Sequence, residues 1–202
     1  MYFPHTRRTS FGFRVATEYI RPYGDTVALP IFQKIFLGGE YSMRGFDLRA
    51  VSPRDDVNGV EIGGNKSLLF NAEYLISIAG PVRLVLFYDA GQVRDVGESF
   101  VWKEPVTERV QAGSLLPVLV GSDFGLLTDP LAGTPASIET RTIGHTNAFK
   151  TSTGAEIRFF MPVLNVPFRL IFAMNPSRSN VLDNNLQPEK KFKFRFAVGT
   201  TF

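Results

Sequence analysis

The sequence lacks cysteine and any long apolar run. Cys is 0 among 202 residues, so disulfides and thiolate metal sites are excluded. No segment approaches the roughly 18 to 20 consecutive apolar residues that a membrane-spanning helix needs, which excludes a helical membrane protein. The formal net charge is only +3, and no basic run is dense enough to predict nucleic-acid binding.

Phenylalanine and alternating polarity are what the sequence has instead. There are 19 Phe residues, and the mean hydropathy is +0.02. A membrane barrel strand is apolar only at every second residue, so its mean hydropathy is close to neutral. No segment keeps a helical period of 3.6, whereas a period of two recurs along the chain.

Seven segments are predicted to be strands. They lie at residues 9–22, 26–37, 66–78, 82–91, 148–161, 166–175 and 192–202. The second is apolar on both faces and therefore hard to orient. Short predicted connections alternate with long ones, at 22–25, 38–65, 79–81, 92–147, 162–165 and 176–190. This alternation is typical of outer-membrane barrels, which have tight periplasmic turns and long outer loops.

Charged residues recur on one face of the predicted strands. An Arg or Lys that faces lipid near the midplane costs roughly 2 to 4 kcal/mol, so such residues should point inward. The set is Arg14, Glu18, Glu73, Asp89, Glu156, Arg158, Arg169, Lys191, Lys193 and Arg195. A soluble sandwich is the alternative, but its strands usually have about 5 to 6 residues. The sequence therefore predicts an all-β, antiparallel transmembrane β-barrel.

Four motifs follow one another along the chain. Residues 38–46 read GGEYSMRGF, and residues 63–65 read GGN before the predicted strand that carries Glu73. Residues 87–91 read FYDAG, and residues 194–202 read FRFAVGTTF. In this order they resemble the barrel of the BamA-type outer-membrane protein assembly factors, the bacterial surface antigen superfamily. The resemblance covers residues 10–202.

The resemblance implies a domain organisation. Family barrels have about sixteen strands after periplasmic POTRA domains, so residues 1–202 would be the C-terminal part of a barrel, with seven or so strands. Residues 38–65 would be a lumen-plugging loop and residues 94–147 a long extracellular loop. Residues 1–8 are too few to span a membrane, and no export signal precedes them, so residue 1 is expected to start a fragment. Remaining strands, POTRA domains or another chain would close the barrel, because open edges in lipid are costly.

The loop carries a candidate docking site. Glu73 and Asp89 fall on inward faces of adjacent predicted strands, and buried like charges need a cation. Arg44 can bridge both carboxylates with bidentate hydrogen bonds, next to Gly45, where the backbone can turn sharply. The alternative is that Arg44 is a solvated loop cation. The resemblance adds three residues to the site, namely Phe46, Phe87 and Gly91.

The last predicted strand carries a second candidate site. Phe194, Phe196 and Phe202 resemble the terminal signal that barrel-assembly machinery reads by adding a strand at an edge. Gly199 is a small inward residue near the end, and a weak strand there could let the seam open. The resemblance implies a lateral gate between the first and last barrel strands. The alternative, that the Phe residues are only interface anchors, is compatible with this.

The implied function is non-enzymatic. The resemblance implies a factor in the bacterial outer membrane that folds and inserts unfolded outer-membrane client proteins into the bilayer. A two-partner-secretion pore of the same superfamily is the alternative, although those transporters more often carry Tyr where Phe46 stands. An enzyme or a porin is a third class. His5 and His145 lie far apart in predicted loops, and Arg44 would neutralise any acid/base pair of Glu73 and Asp89. No cofactor, metal or nucleic acid is expected.

Overall fold

The computed structural model describes residues 1–24, 29–55, 59–111, 138–161 and 166–199. Within these ranges the regular elements are nine strands and a 3-10 turn at Ile31–Gln33. The strands are β1 Tyr2–Thr6, β2 Thr9–Tyr19, β3 Lys66–Ala79, β4 Val82–Arg94, β5 Lys103–Gln111, β6 Ile138–Asn147, β7 Lys150–Met161, β8 Val166–Ser177 and β9 Phe192–Val198. Among the described residues, no helix is long and apolar enough to cross a bilayer. The predicted all-β, antiparallel class is confirmed.

Seven strands form one sheet in the order β1-β2-β3-β4-β7-β8-β9, and all its neighbouring strands are antiparallel. β5 and β6 form a separate two-stranded sheet, in a compact unit of its own at Glu104–Thr146. Within the described part of the chain, β1 and β9 each pair on one side only. The large sheet is therefore open, with β1 and β9 as its edges.

The two faces of the large sheet differ in chemistry. What we call the inner face carries buried polar side chains, such as Asn71, Glu73 and Asp89, each at most 2% exposed. The outer face carries exposed apolar side chains, such as Phe70 and Phe172. Because successive side chains alternate between faces, a slip of one residue would exchange the two sets, so the pattern fixes the register.

Most of the charged residues predicted to point inward do so. Five are buried on the inner face, namely Glu73, Asp89, Glu156, Arg158 and Arg169. Arg14, Lys193 and Arg195 are half-buried. Glu18 and Lys191 are exposed, although they have the same alternation as the inner-face residues Arg14 and Lys193. Glu18 lies near the end of β2 and Lys191 directly before β9, where solvent reaches the side chain.

The strand predicted at residues 26–37 is wrong. Residues 26–28 lie outside the described residues, and the rest forms the 3-10 turn followed by isolated bridges at Ile35 and Leu37. Ile31 and Phe32 are exposed, whereas Ile35 and Leu37 are buried. Apolar residues on both faces gave no alternation to fix a register.

β1 is a strand of the large sheet that was not predicted, because residues 1–8 are too few to span a membrane. β1 has five residues and pairs with β2, for example Phe3 with Phe11. Pro4 fits there because an edge strand tolerates a residue without an N–H donor. The connections between successive strands of the large sheet are short at 7–8, 80–81 and 162–165, and long at 20–65, 95–149 and 178–191.

The region 94–147, expected to be one long loop, contains the paired strands β5 and β6. Two other predicted features fall outside the described residues, namely the turn at 162–165 and the chain end at 200–202. The predicted turn at 79–81 is present, with Gly80 at a φ of 51° between β3 and β4.

Candidate functional site

Residues 37–51 fold into a closed loop against the inner face. Leu37 and Val51 exchange two backbone hydrogen bonds, of 3.1 and 3.0 Å. Across the loop, the Gly39 amide donates to the Phe46 carbonyl at 3.0 Å. These bonds close the loop. Its tip, residues 43–46, lies against the inner face, where all four residues are buried.

Arg44 at the tip is 0% exposed and contacts three carboxylates. Its Nη2 lies 2.6 Å from Asp89 Oδ1, and its Nε lies 3.0 Å from Asp89 Oδ2. Its Nη1 lies 2.6 Å from Glu73 Oε1 and 3.1 Å from Glu156 Oε2. The Phe87 ring lies below the guanidinium, with 3.9 Å from Cζ to the ring centroid. The two-pronged bond to Asp89 is one that Lys could not make.

Two further arginines balance the charge. Arg169 contacts Glu156 through Nε at 2.7 Å and Nη2 at 2.9 Å, and Arg158 Nη2 lies 2.6 Å from Glu73 Oε1. We call the six residues the ionic cluster: Arg44, Arg158, Arg169, Glu73, Asp89 and Glu156. Three guanidinium groups meet three carboxylates, so the cluster is formally neutral. Charges buried in this way are tolerated because each one is paired.

Arg44 keeps its charge in the cluster. Burial would lower the pKa of its guanidinium, but the hydrogen bond and charge of Asp89 outweigh this, with Glu73 and Glu156 adding to them. The net result is a pKa raised above the ordinary value. The loop is therefore held by a permanently charged side chain.

The structure thus brings Arg44 to Glu73 and Asp89, as the sequence analysis expected. Glu156, Arg158 and Arg169 were expected to face inward but were not placed in the site. Their contacts depend on the register of β7 against β4 and β8, for example Arg158 opposite Arg169. Counting the charges at the inward positions could have found them. Glu73 and Asp89 carry two negative charges, and Arg44 alone leaves one of them without a cation.

Close packing explains the glycines of the site. A Cβ on Gly45 would overlap the side-chain oxygen of Asn175 and lie 2.8 Å from Ser152 Cβ. Both neighbours hold the loop, since Asn175 donates to the Gly45 carbonyl at 2.7 Å and the Gly45 amide donates to Ser152 Oγ at 3.3 Å. A Cβ on Gly91 would lie 2.8 Å from Met43 Sδ. Only glycine leaves room for the loop at these two positions.

Phe46 occupies an apolar cluster next to the ionic one. Its members are buried residues of the loop, the inner face and the connection 178–191, namely Leu37, Met43, Phe46, Ala50, Val51, Leu69, Val93 and Val181. Phe46 is 0% exposed. Burying a side chain of this size contributes about 1.5 to 3 kcal/mol.

The loop also contacts the last strand. Asp47 Oδ1 lies 2.6 Å from Lys193 Nζ and 2.5 Å from Arg195 Nη2. Burial raises the pKa of Asp47, but the Lys193 hydrogen bond and the charges of Lys193 and Arg195 lower it more, so the net shift is downward. Glu189, which is 2% exposed, accepts from the Asp47 amide at 3.2 Å and also contacts Lys193. The loop is therefore bound to the inner face of β9 by ion pairs.

β9 carries the second set of predicted site residues. Phe194 and Phe196 are about 60% exposed on the outer face, at 61% and 59%. Gly199 follows the strand with a φ of 116°, in the left-handed region that favours glycine. Phe202 lies outside the described residues.

The two histidines are in strands, not loops as the sequence analysis expected. His5 is in β1, with its ring 5.5 Å from that of Phe11, and His145 is in β6. In the part of the chain that the structure describes, no group of three or more His, Cys, Asp or Glu residues could hold a metal ion.

This arrangement has counterparts among known proteins. A family model for the Omp85 superfamily domain matches residues 1–202. The chain belongs to the Omp85 superfamily. The resemblance seen in the sequence motifs is thereby confirmed, and with it a location in the bacterial outer membrane.

Individual relatives agree with the family. The chain is 33% identical over 84 residues to the outer membrane protein assembly factor BamA of Nitratidesulfovibrio vulgaris, covering 41% of the chain and 11% of the relative. It is 28% identical over 189 residues to BamA of Neisseria meningitidis serogroup B, covering 89% of the chain and 20% of the relative. The chain thus spans a fifth or less of these relatives.

A solved structure shows the fold. The crystal structure of BamA from Haemophilus ducreyi lacking POTRA domains 1-3 matches 98% of this chain with a TM-score of 0.59. The match covers 33% of that chain at 17% identity. The open sheet is therefore a part of a larger transmembrane barrel, as predicted.

Proposed function

We propose that this chain is the C-terminal part of an outer-membrane protein assembly factor, which folds and inserts β-barrel clients through an open strand edge. The curated relatives are outer membrane protein assembly factors, which supports assembly at the level of the family. The proposed mechanism is not an enzymatic one, because the chemistry offered is backbone pairing and not bond cleavage.

The edge of β9 that no described strand covers is the observation that carries the proposal. The Gly199 amide bonds to the Pro167 carbonyl at 2.9 Å, and the Asn175 amide bonds to the Lys191 carbonyl at 2.8 Å. In an antiparallel pair, backbone groups point to the partner strand at every second residue. Odd-numbered residues of β9 therefore bond to β8, and even-numbered ones, including Phe194 and Phe196, point away from it. Such an edge is a template for an extended peptide.

The ionic cluster supplies the support for this edge. In the proposed role, Arg44, Gly45 and Phe46 dock the loop on Glu73, Asp89, Phe87 and Gly91, and the docked loop plugs the lumen. Asp47 then holds Lys193 and Arg195, so the last strand keeps its shape while its edge is open. Phe194, Phe196, Gly199 and Phe202 would form the terminal strand signal. The partners are the bilayer, unfolded clients, and the strands and POTRA domains or second chain that complete the barrel.

A two-partner-secretion pore is less well supported. A pore needs an open path along the inner face, whereas Met43, Arg44 and Phe46 pack against this face and are each 0% exposed. Single-channel recording with and without residues 40–60 separates the two functions. The loop-deleted protein should gain conductance, while a pore would conduct with its loop present.

The test of edge pairing uses a matched pair of variants. Phe194→Pro removes the edge N–H donor and the side chain, whereas Phe194→Ala removes the side chain alone. The intact gene product is reconstituted in liposomes, and insertion of a small outer-membrane barrel is followed by its folded gel mobility. Phe194→Pro should slow insertion several-fold more than Phe194→Ala. Equal rates for the two variants would show that insertion does not use this edge.

A further inference from the structure

Tyr41 connects the loop to both β2 and β9. Its hydroxyl donates to the Val198 carbonyl at 2.9 Å. Its own carbonyl accepts from Arg14 Nη1 at 3.2 Å. The ring is 48% exposed, so it is not locked in a packed core.

The carbonyl that Tyr41 binds belongs to the open edge. Since Gly199 bonds to β8 through its amide, the backbone groups of the preceding residue, Val198, face away from β8. Val198 is also the last residue of β9. A strand that pairs along the edge of β9 needs this carbonyl as an acceptor.

We propose that Tyr41 is a removable cap on the β9 edge. Its hydroxyl satisfies the Val198 carbonyl while the edge is unpaired, and an added strand displaces it by donating its own N–H. The inference rests on the proposed function, because it assumes that strands pair with this edge. The partner it concerns is an extended peptide, which offers backbone donors along one side.

Two physical considerations favour a cap over an incidental contact. A backbone carbonyl without a partner in a membrane costs several kcal/mol, so an open edge benefits from a temporary donor. The donor must also remain nearby when displaced. Tyr41 is three residues from Arg44, whose ionic cluster keeps the loop in place. Gly199 lies directly beside the hydroxyl, since a Cβ added there would be 3.4 Å from it, at an ordinary contact distance.

The test measures peptide binding by the intact gene product in lipid nanodiscs. The probe is a fluorescent synthetic peptide that copies residues 191–202, and binding is read by anisotropy. Tyr41→Phe removes only the hydroxyl. Since a net hydrogen bond changes an equilibrium by about 2- to 10-fold, this variant should bind the peptide tighter by that factor. Tyr88→Phe, on the outer face of β4, is the control and should bind like the wild type.

The outcomes separate this inference from the proposed function. If Tyr41→Phe and wild type bind with equal affinity, or the variant binds more weakly, the cap is refuted and edge pairing stands. If no variant binds the peptide, edge pairing and the cap both fail. A second measurement keeps the hydroxyl and places 3-fluorotyrosine at position 41. Its fluorine resonance should shift when the peptide binds, and an unchanged resonance would overturn the cap.

Discussion

Replacing Arg44 with Ala should release the loop from the inner face. The substitution leaves three carboxylates facing two guanidinium groups, all inside the ionic cluster. Asp89 loses both side-chain bonds to Arg44, and Glu73 keeps its ion pair with Arg158. Removing one partner of a buried ion pair costs about 3 to 5 kcal/mol, which is roughly two to four orders of magnitude in the docking equilibrium.

Limited trypsin digestion measures this release. Arg49 lies in the same loop with a φ of 65°, and trypsin needs an extended chain, so its cleavage reports on how often the loop leaves the sheet. When reclosing is fast, the cleavage rate follows the open population. Arg44→Ala should raise it by at least about a hundredfold. The cleavage rate of Arg44→Lys should lie between those of the wild type and Arg44→Ala, because an ammonium group cannot form the two-pronged bond to Asp89. Arg21→Ala, an exposed arginine outside the cluster, is the matched control.

A double-mutant cycle decides whether charge is the cause. Arg44→Ala combined with Asp89→Asn returns the cluster to two acids and two arginines. The double variant should therefore be less open than the sum of the two single variants predicts, by about 0.5 to 3 kcal/mol of coupling. Strict additivity would refute ionic docking and leave Phe46 burial as what holds the loop.

Two other predictions concern the loop. Gly45→Ala should lower the free energy of unfolding, measured in urea, by about 1 to 3 kcal/mol, because its Cβ would collide with Asn175. Gly144→Ala, whose Cβ would meet open space, is the control and should not show this loss. Because the pKa of Asp47 is lowered in the folded state, its pairing stabilises the loop at pH values above the ordinary pKa of 3.8, and this stabilisation is lost as pH falls through the still lower folded pKa. A fluorophore on the loop should report weaker docking at pH 3 than at pH 6, and Asp47→Asn should reduce that difference; an unchanged difference would show that the pairing with Lys193 is not its source.

The strands and their faces were readable from the sequence where alternation was strict. β2, β3 and β7, for instance, each separate apolar from polar positions, so a period of two identified both the strand and its inner face. Residues 26–37 lacked this separation and were assigned wrongly. β1 failed for the opposite reason, since five residues with a proline carry too little pattern to be told from a loop.

The site was only partly predictable, because it depends on register across distant strands. Arg44, Glu73 and Asp89 came from the motifs. The contacts of Glu156 and Arg169 require that β7 and β8 be aligned to within one residue, and the lengths of the connections 95–149 and 162–165 do not encode that. Tyr41 lies within the motif at 38–46, but its contact could not be predicted, since its partner is a backbone carbonyl whose direction follows from strand pairing.

The order of charges in the loop explains why it docks in one orientation. Arg44 meets the acids of β3, β4 and β7, while Asp47, three residues later, meets Lys193 and Arg195 of β9. A reversed loop would place Asp47 against the carboxylates and Arg44 against the cations of β9. Both mismatches would bury like charges, so opposite signs three residues apart exclude that alternative. The orientation that remains brings Tyr41 to the edge of β9, where its hydroxyl donates to the Val198 carbonyl.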